Sequence, residues 1–409
     1  MCFMNEYASS STEWIRDVDW KELARDYGTP IYVYSEEFIT KRARTLKDLF
    51  RELNVDLYYA MKANTNPVIL RIIANEGYSL EGVSIYEVKI GLSIVQDNSK
   101  IMLTSCCLDD ETLLEAIRLG IKINADSWNQ LSFLLANNHE DIGVRIDLGF
   151  GAGHHAYTTT GGWQSKFGIG IDEFVHFLET ESPSGKIRRL HFHLGSGISS
   201  PEIYTKALDE LWQKILKYRA FAEIDIGGGF SYPYRKEDKE FDFNNLKKNL
   251  EAFASNHEKV HGFSPRIILE PGRWIVAGGG VLLAKVTDIK TKSGQTFVTL
   301  NTGMQHLIRP ALYRSYHEVL FLQKDTDYMK AFIAGNSCEN ADVMPLERTV
   351  PASLKRGDLA LVLDVGAYGY VMSSNYNSYP RPREIIIRKN GRIEETISFD
   401  KYLLEILRK

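Results

Sequence analysis

The chain has 409 residues, with 49 basic and 53 acidic side chains and a net charge of −4. It is long enough for two cores and lacks the positive excess that nucleic-acid binding requires. Four scattered cysteines (Cys2, Cys106, Cys107, Cys338) exclude a disulfide framework, and no signal peptide or apolar run of membrane-spanning length is present, which points to a reducing cytoplasmic setting without a membrane partner.

Residues 1–34 carry a helix-like stretch around Trp14, Trp20 and Leu23, then Gly28-Thr29-Pro30 and the strand-like Ile31-Tyr32-Val33-Tyr34. Eight short apolar strands follow, predicted at 56–61, 79–84, 100–105, 121–126, 142–148, 188–194, 223–227 and 266–270. Segments with 3.6-residue periodicity separate them, such as Val68 to Ala74, Asp109 to Ile117 and Ile203 to Tyr218. Strand–helix alternation with short connections gives a parallel sheet, and eight rounds in this length close it into a (β/α)8 barrel. After Arg273 the texture changes to alternating strands over 281–299, with further strands at 331–334 and 359–364 and a hairpin over 384–398. Asn390-Gly391 is expected to supply a type I′ turn there. The fold class is α/β: a TIM barrel followed by a mostly β C-terminal domain. The expected domains are a barrel over 35–278 and a β domain over 279–409, with residues 1–34 packing against the latter.

The chemically suggestive groups fall where the barrel strands stop, which in a closed barrel is one mouth. Lys62 ends the first strand, in Tyr58-Tyr59-Ala60-Met61-Lys62-Ala63-Asn64. Alone, a lysine at a strand end is usually a surface charge, but beside a cationic ring it loses its proton and attacks an aldehyde carbon. Glu270, in Leu269-Glu270-Pro271-Gly272-Arg273, suits a carboxylate holding a pyridine nitrogen protonated. Gly227-Gly228-Gly229 reads equally as a flexible strand end or as a phosphate-binding turn, with Ser196 and the backbone beside Arg273 able to complete the cup. His191 and His193 share a strand face; no third ligand stands at recognisable spacing, so His193 fits a ring lying flat on a planar cofactor better than a metal site. Together these groups are what pyridoxal 5′-phosphate requires.

In the second half, Gly335-Asn336-Ser337-Cys338-Glu339-Asn340-Ala341-Asp342 sets a cysteine beside a carboxylate in a polar loop, unlike a structural cysteine with apolar flanks. Asp364-Val365-Gly366-Ala367-Tyr368-Gly369-Tyr370 follows a strand, and its glycines and tyrosines read also as plain turn residues. Arg309 and Tyr313 lie about one helical turn apart and suit a substrate carboxylate, although an arginine before proline is often only a solvated charge.

In this order, Tyr58–Asn64, His191–Gly197, Gly227–Gly229, Glu270–Arg273, Cys338-Glu339 and Gly366–Asn377 resemble the group IV, alanine-racemase-fold decarboxylases that depend on pyridoxal phosphate. The resemblance runs from about residue 20 to the C-terminus and also takes in Gly153-His154-His155. It implies that Lys62 holds the cofactor covalently, that His193 stacks on its ring and that Glu270 binds its nitrogen. It further implies that Ser196, Gly228, Gly229, Gly272 and Arg273 hold the phosphate, and that Tyr368 touches the cofactor. Cys338 would donate the proton that replaces carbon dioxide. Arg273, Arg309, Tyr313, Glu339 and Tyr368 match substrate contacts of members that convert meso-2,6-diaminopimelate to L-lysine. The family is a homodimer with shared active sites, Cys338 and Glu339 reaching the partner's. The chain departs from the family at Glu81, where aspartate is usual, at Cys106-Cys107 after the third strand, and at Tyr379, often arginine. Those departures leave open a decarboxylase of ornithine, lysine or an amino-acid conjugate. A racemase would be expected to place arginine, not Glu270, on the pyridine nitrogen, and a non-catalytic homologue would not keep both Lys62 and Cys338.

Overall fold

A computed structural model describes residues 12–153, 160–162, 165–181, 185–323 and 325–408. Cys2, His154 and His155 lie outside them. The chain divides into two compact units: one takes in the chain up to Lys41, Pro233–Asp238 and Ile275–Tyr402, the other Arg42–Tyr232, Lys239–Trp274 and Leu403–Lys409. No helix among the described residues is long and apolar enough to cross a membrane.

In chain order the strands are β1 (Ile31–Ser35), β2 (Val55–Ala60), β3 (Ser79–Gly82), β4 (Ile101–Thr104), β5 (Lys122–Ala125), β6 (Ile142–Asp147), β7 (Ile169–Gly170), β8 (Ile187–His191), β9 (Glu223–Asp225) and β10 (Arg266–Leu269). Eight of them, β2 to β6 and β8 to β10, pair in parallel, and the β2–β10 and β5–β6 ladders close the ring. β7 is a two-residue appendage to β6. The closed parallel barrel matches the fold class read from the sequence. Local signals start the helices between strands. Asn66, Ser84, Asp109 and Ser127 each cap a following helix through a side-chain oxygen. Glu87 reaches back from the first turn of Ile85–Val95 to the amide of Val83 at 2.8 Å, completing a capping-box-like exchange with Ser84.

The interior of the barrel holds an ionic layer. Arg189, with no solvent exposure, donates to Asn124 Oδ1 (2.7 Å), Asp141 Oδ1 (2.9 Å) and Glu223 Oε2 (2.7 Å), while Lys122 Nζ lies 2.8 Å from Glu223. Gly143 makes room for it, since a Cβ there would stand 1.9 Å from Asn124 Oδ1 and 2.8 Å from Arg189 Nε. Burial opposes the charged forms of Asp141 and Glu223, but Arg189 and Lys122 outweigh it and hold both carboxyls below their ordinary range.

The other unit is built on a nine-stranded sheet comprising β1, β11 (Gly280–Lys292), β12 (Gln295–Leu300), β13 (Val319–Phe321), β14 (Tyr328–Ala334), β15 (Arg348–Pro351), β16 (Leu359–Val362), β17 (Arg383–Ile387) and β18 (Ile393–Glu395). β1 lies between β11, antiparallel, and β17, parallel. Its core gathers Ile15, Trp20, Leu23, Ile31, Val33, Val281, Leu283, Leu361, Leu363 and Ile385. The hairpin at Asn390-Gly391 is not the expected type I′ turn. Ile387 pairs with Ile393, a register that only an odd-length loop can close, and Gly391 alone takes a left-handed φ (+80°). Both left-handed angles occur instead at Ser293 and Gly294, where Lys292 pairs with Gln295 across a two-residue loop.

Replacing Arg189 with methionine leaves buried Glu223 and half-buried Asp141 with Lys122 as their remaining cation and should destabilise the barrel by about 1.5–3 kcal/mol, read by urea unfolding at neutral pH. Because the carboxyl pKa values are depressed in the folded state, the stability they contribute is present above their unfolded values and lost on acidification. The gap between wild type and Arg189→Met should therefore narrow as the pH falls through the carboxylate range.

Candidate active site

The backbone that carries Lys62 is locked on both sides. Residues Met61–Ala63 form a single 3-10 turn directly after β2, with Met61 and Ala63 buried. Met61 packs into the space left by Gly82 and Gly91, where a Cβ would come 3.1 and 3.3 Å from its methyl carbon. Ala60 N donates to Pro271 O at 3.2 Å, and a Cβ on Gly272 would meet Ala60 and Ala63 at 3.2 and 3.1 Å. Gly272 therefore lets the Glu270–Arg273 turn close on the lysine turn. Tyr59 and Asn66 fix the exit through bonds to the backbone and side chain of Asn64.

Around Lys62 the barrel gathers five titratable groups, of which Glu81, Asp225, Glu270 and His191 are buried. Glu81, fully buried, lies 3.8 Å from Lys62 Nζ, and neither of its oxygens has a hydrogen-bond partner among the described residues. Burial, and more weakly the charge of Glu270, push its carboxyl up to about 8 against the pull of Lys62. Glu270 Oε2 lies 3.7 Å from His191 Nε2, and Glu270 Oε1 is buried without a partner. Asp225 Oδ1 accepts from the amide of Gly227 at 2.9 Å. Burial raises the pKa of Asp225, reinforced by Glu270, and raises that of Glu270 too. Burial together with the charges of Lys62 and Arg145 holds His191 and His193 well below the ordinary imidazole range, so both are neutral at pH 7. His193 Nδ1 accepts from Gly228 N at 3.3 Å, which fixes its tautomer.

The anion side is built from glycine turns. Gly195, Gly197, Gly227 and Gly229 take positive φ. A Cβ on Gly228 would strike Glu270 O at 2.1 Å, and one on Gly229 would strike Gly195 O at the same distance. Arg273 Nη2 donates to Ser196 Oγ at 3.0 Å, setting a guanidinium and a hydroxyl beside these turns. An amine, a dry carboxylate with an unsatisfied oxygen and a cationic glycine-rich cradle fit a phosphorylated pyridine aldehyde.

Sequence spacing missed several participants. Asp225 and Glu270 come within 4.8 Å of His191, a trio of metal-ligating geometry assembled from three strand ends, which no local spacing reveals. Arg145 lies inside β6, bonded to Asp126 at 3.2 Å with its guanidinium over the Phe167 ring; a single arginine in an apolar strand gives no local signal. His317 is the third case.

The remaining candidates belong to the sheet-based unit. Arg309 opens the short helix Arg309–Tyr313, which sets it and Tyr313 one turn apart. Its guanidinium is only 2% exposed, donates to His317 Nε2 at 2.7 Å and lies over the Tyr234 ring. His317 Nδ1 in turn lies 2.8 Å from Leu363 O, so Nδ1 carries the proton and Nε2 accepts. Cys338 and Glu339 are exposed; Asn377 Oδ1 accepts from Cys338 N (2.9 Å) and Tyr376 donates to Glu339 Oε1 (2.7 Å). Tyr368 sits at φ +57°, left-handed for a bulky residue, in a loop where Gly366 presses against Val276 O.

Comparison with known proteins bears on these groups. The family description "Pyridoxal-dependent decarboxylase, pyridoxal binding domain" matches residues 36–277. A diaminopimelate decarboxylase of Methanothermobacter thermautotrophicus is 34% identical over 393 residues, covering 93% of this chain and 91% of its own. One from Streptomyces coelicolor is 34% identical, covering 89% and 86%. A crystal structure of diaminopimelate decarboxylase from Helicobacter pylori complexed with L-lysine superposes with a TM-score of 0.82 at 26% identity, covering 95% of this chain and 98% of that one.

Glu81 has its folded pKa raised above the unfolded value, so the stability tied to its protonation is present below that unfolded value and is lost as the pH rises through about 8. Glu81→Gln mimics the protonated form. In cofactor-free protein its melting temperature should match wild type near pH 5 and exceed it increasingly toward pH 8.5. Parallel curves would show that Glu81 does not titrate there.

Proposed function

The chain belongs to the pyridoxal-dependent decarboxylases, and from that premise we infer that it converts meso-2,6-diaminopimelate to L-lysine and carbon dioxide. The observation that carries the reading is full-length similarity to enzymes of that activity, at 34% identity over 93% of this chain. The site supports it with a dry carboxylate, Glu270, near Lys62. When bound, pyridoxal phosphate supplies an electron sink for the pair left at Cα as the bond to the carboxylate breaks.

The residues divide the remaining work. Lys62 would hold the aldehyde carbon through its amine. Glu270, with its unpaired oxygen, would keep the pyridine nitrogen protonated, and its charge there is worth more in a dry site than in water. Neutral His193 would lie against the ring, and Tyr368 would contact the cofactor. Ser196, Gly228, Gly229, Gly272 and Arg273 would bind the phosphate. Cys338 would give a proton to Cα from its thiol. Arg309, held from behind by neutral His317, would read the distal carboxylate with Tyr313, and Glu339 the distal amine; Arg273 and Tyr368 would complete the substrate contacts. The pairing of a carboxylate reader with an amine reader favours diaminopimelate over ornithine or lysine. The same reading makes the enzyme cytoplasmic and a homodimer in which Cys338 and Glu339 serve the partner's site.

Two experiments test this. Wild-type protein should release carbon dioxide and L-lysine from meso-diaminopimelate faster than it turns over lysine or ornithine. Arg309→Ala should lower kcat/KM for the dicarboxylate by about 10- to 150-fold, the worth of one charge-assisted hydrogen bond, and slow monocarboxylate substrates far less. Faster turnover of ornithine or a conjugated amino acid would leave a decarboxylase with another substrate.

For the shared site, inactive Lys62→Ala and Cys338→Ala proteins should regain about a quarter of wild-type activity on subunit exchange, since random pairing gives half the dimers one intact site. No recovery after verified exchange would mean that each site comes from one chain.

A further inference from the structure

The loop Gly335–Asp342 is short, polar and exposed at Cys338 and Glu339, yet it is tied down by a buried acid at its far end. Asp342 is 7% exposed. Its backbone closes the loop, the carbonyl accepting from Gly335 N at 2.8 Å and the amide donating to Glu339 O at 3.1 Å. Its carboxylate then bridges two segments: Oδ1 accepts from Met304 N at 2.6 Å, and Oδ2 accepts from Ser337 N, the residue before the cysteine, at 2.8 Å.

The fit around this carboxylate admits no extra atom. A Cβ on Gly303 or on Gly335 would stand 2.2 Å from Asp342 Oδ2. Neither glycine takes a positive φ. What requires glycine at both positions is therefore the space the carboxylate fills, not backbone conformation. Both of its oxygens accept amide protons, a task that asparagine, with one oxygen and one NH2, cannot perform.

We propose that Asp342 is a positioning residue for the reaction: its carboxylate, clamped between Gly303 and Gly335, sets the place of the Cys338 thiol and the Glu339 carboxylate by holding the amide next to them. It touches no reacting atom. The loop has no regular secondary structure; its outer contacts, from Tyr376 and Asn377, come from a surface segment, while on its inner side buried Gln305 holds the side chains of Asn336 and Ser337 and the Asp342 carboxylate holds the backbone. This rests on the proton-donor reading of Cys338.

The test uses full-length holoenzyme carrying Asp342→Asn and, independently, Gly335→Ala, which presses on the same carboxylate from the other side. The readouts are kcat and the rate of iodoacetamide alkylation at each cysteine, resolved by peptide mass mapping. Both variants should lose about 10- to 100-fold in kcat, as displacement of a reacting group by about 1 Å does. Alkylation of Cys338 should change by about tenfold, the release of one charge-assisted hydrogen bond, while Cys106 and Cys107 keep their wild-type rates. Unchanged Cys338 alkylation in both variants would overturn the proposal, as would an equal change at Cys106, Cys107 and Cys338, which would mean general loosening. Should Asp342→Asn fail to fold, Gly335→Ala carries the same reading. Cys338→Ala with wild-type kcat would instead remove the proton-donor role, whatever Asp342 does to the thiol.

Discussion

Lys62 is held in place by its neighbours' lack of bulk and its neighbours' burial, and the surrounding chemistry depends on that fixation. Met61 fills a gap over two glycines, Ala60 and Ala63 meet Gly272, and the turn that follows carries Glu270. Once these contacts bring the lysine turn and the glutamate turn together, Glu81, His191 and Asp225 have nowhere wet to go. Burial then decides their protonation more than their partners do: both imidazoles stay neutral and the carboxyls hold their protons longer than in water. The electrostatic character of the site is thus a consequence of backbone packing rather than of many specific hydrogen bonds.

Arg189 lives under the opposite regime in the same barrel. It too is buried, but two carboxylates and an amide answer its Nε and Nη1, and the outcome is a fixed, charged cluster. Desolvation acts on both groups alike; what differs is whether compensation is present. The paired cluster fits a structural role, and the under-compensated cluster leaves acceptors free for a bound molecule.

How far this could be read from the residues follows from where each signal resides. The barrel was legible because each strand and helix announces itself within ten residues, through apolar runs, caps and punctuating glycines. Lys62, Glu270 and the glycine turns were legible because strand ends are recognisable and barrels gather them. His191 with Asp225 was not, since its meaning lies in a contact between separate strand ends; Arg309 with His317 was not either, because a contact across eight residues of irregular chain follows no helix or strand period. The hairpin at Asn390-Gly391 failed for a related reason. The dipeptide permits a type I′ turn, but strand register, set by the pairing of Ile387 with Ile393, overrides it.

Gly143, Asn124 and Arg189 share one volume, so none of the three can be changed without regard to the others. A methyl group at 143 cannot coexist with the present asparagine and arginine, and a shorter residue at 189 would clear only the arginine's share of the clash. Changes at these positions are therefore coupled: 143 is released only when both the asparagine and the arginine give way, and a smaller residue at 189 leaves Lys122 alone against the acids at 141 and 223.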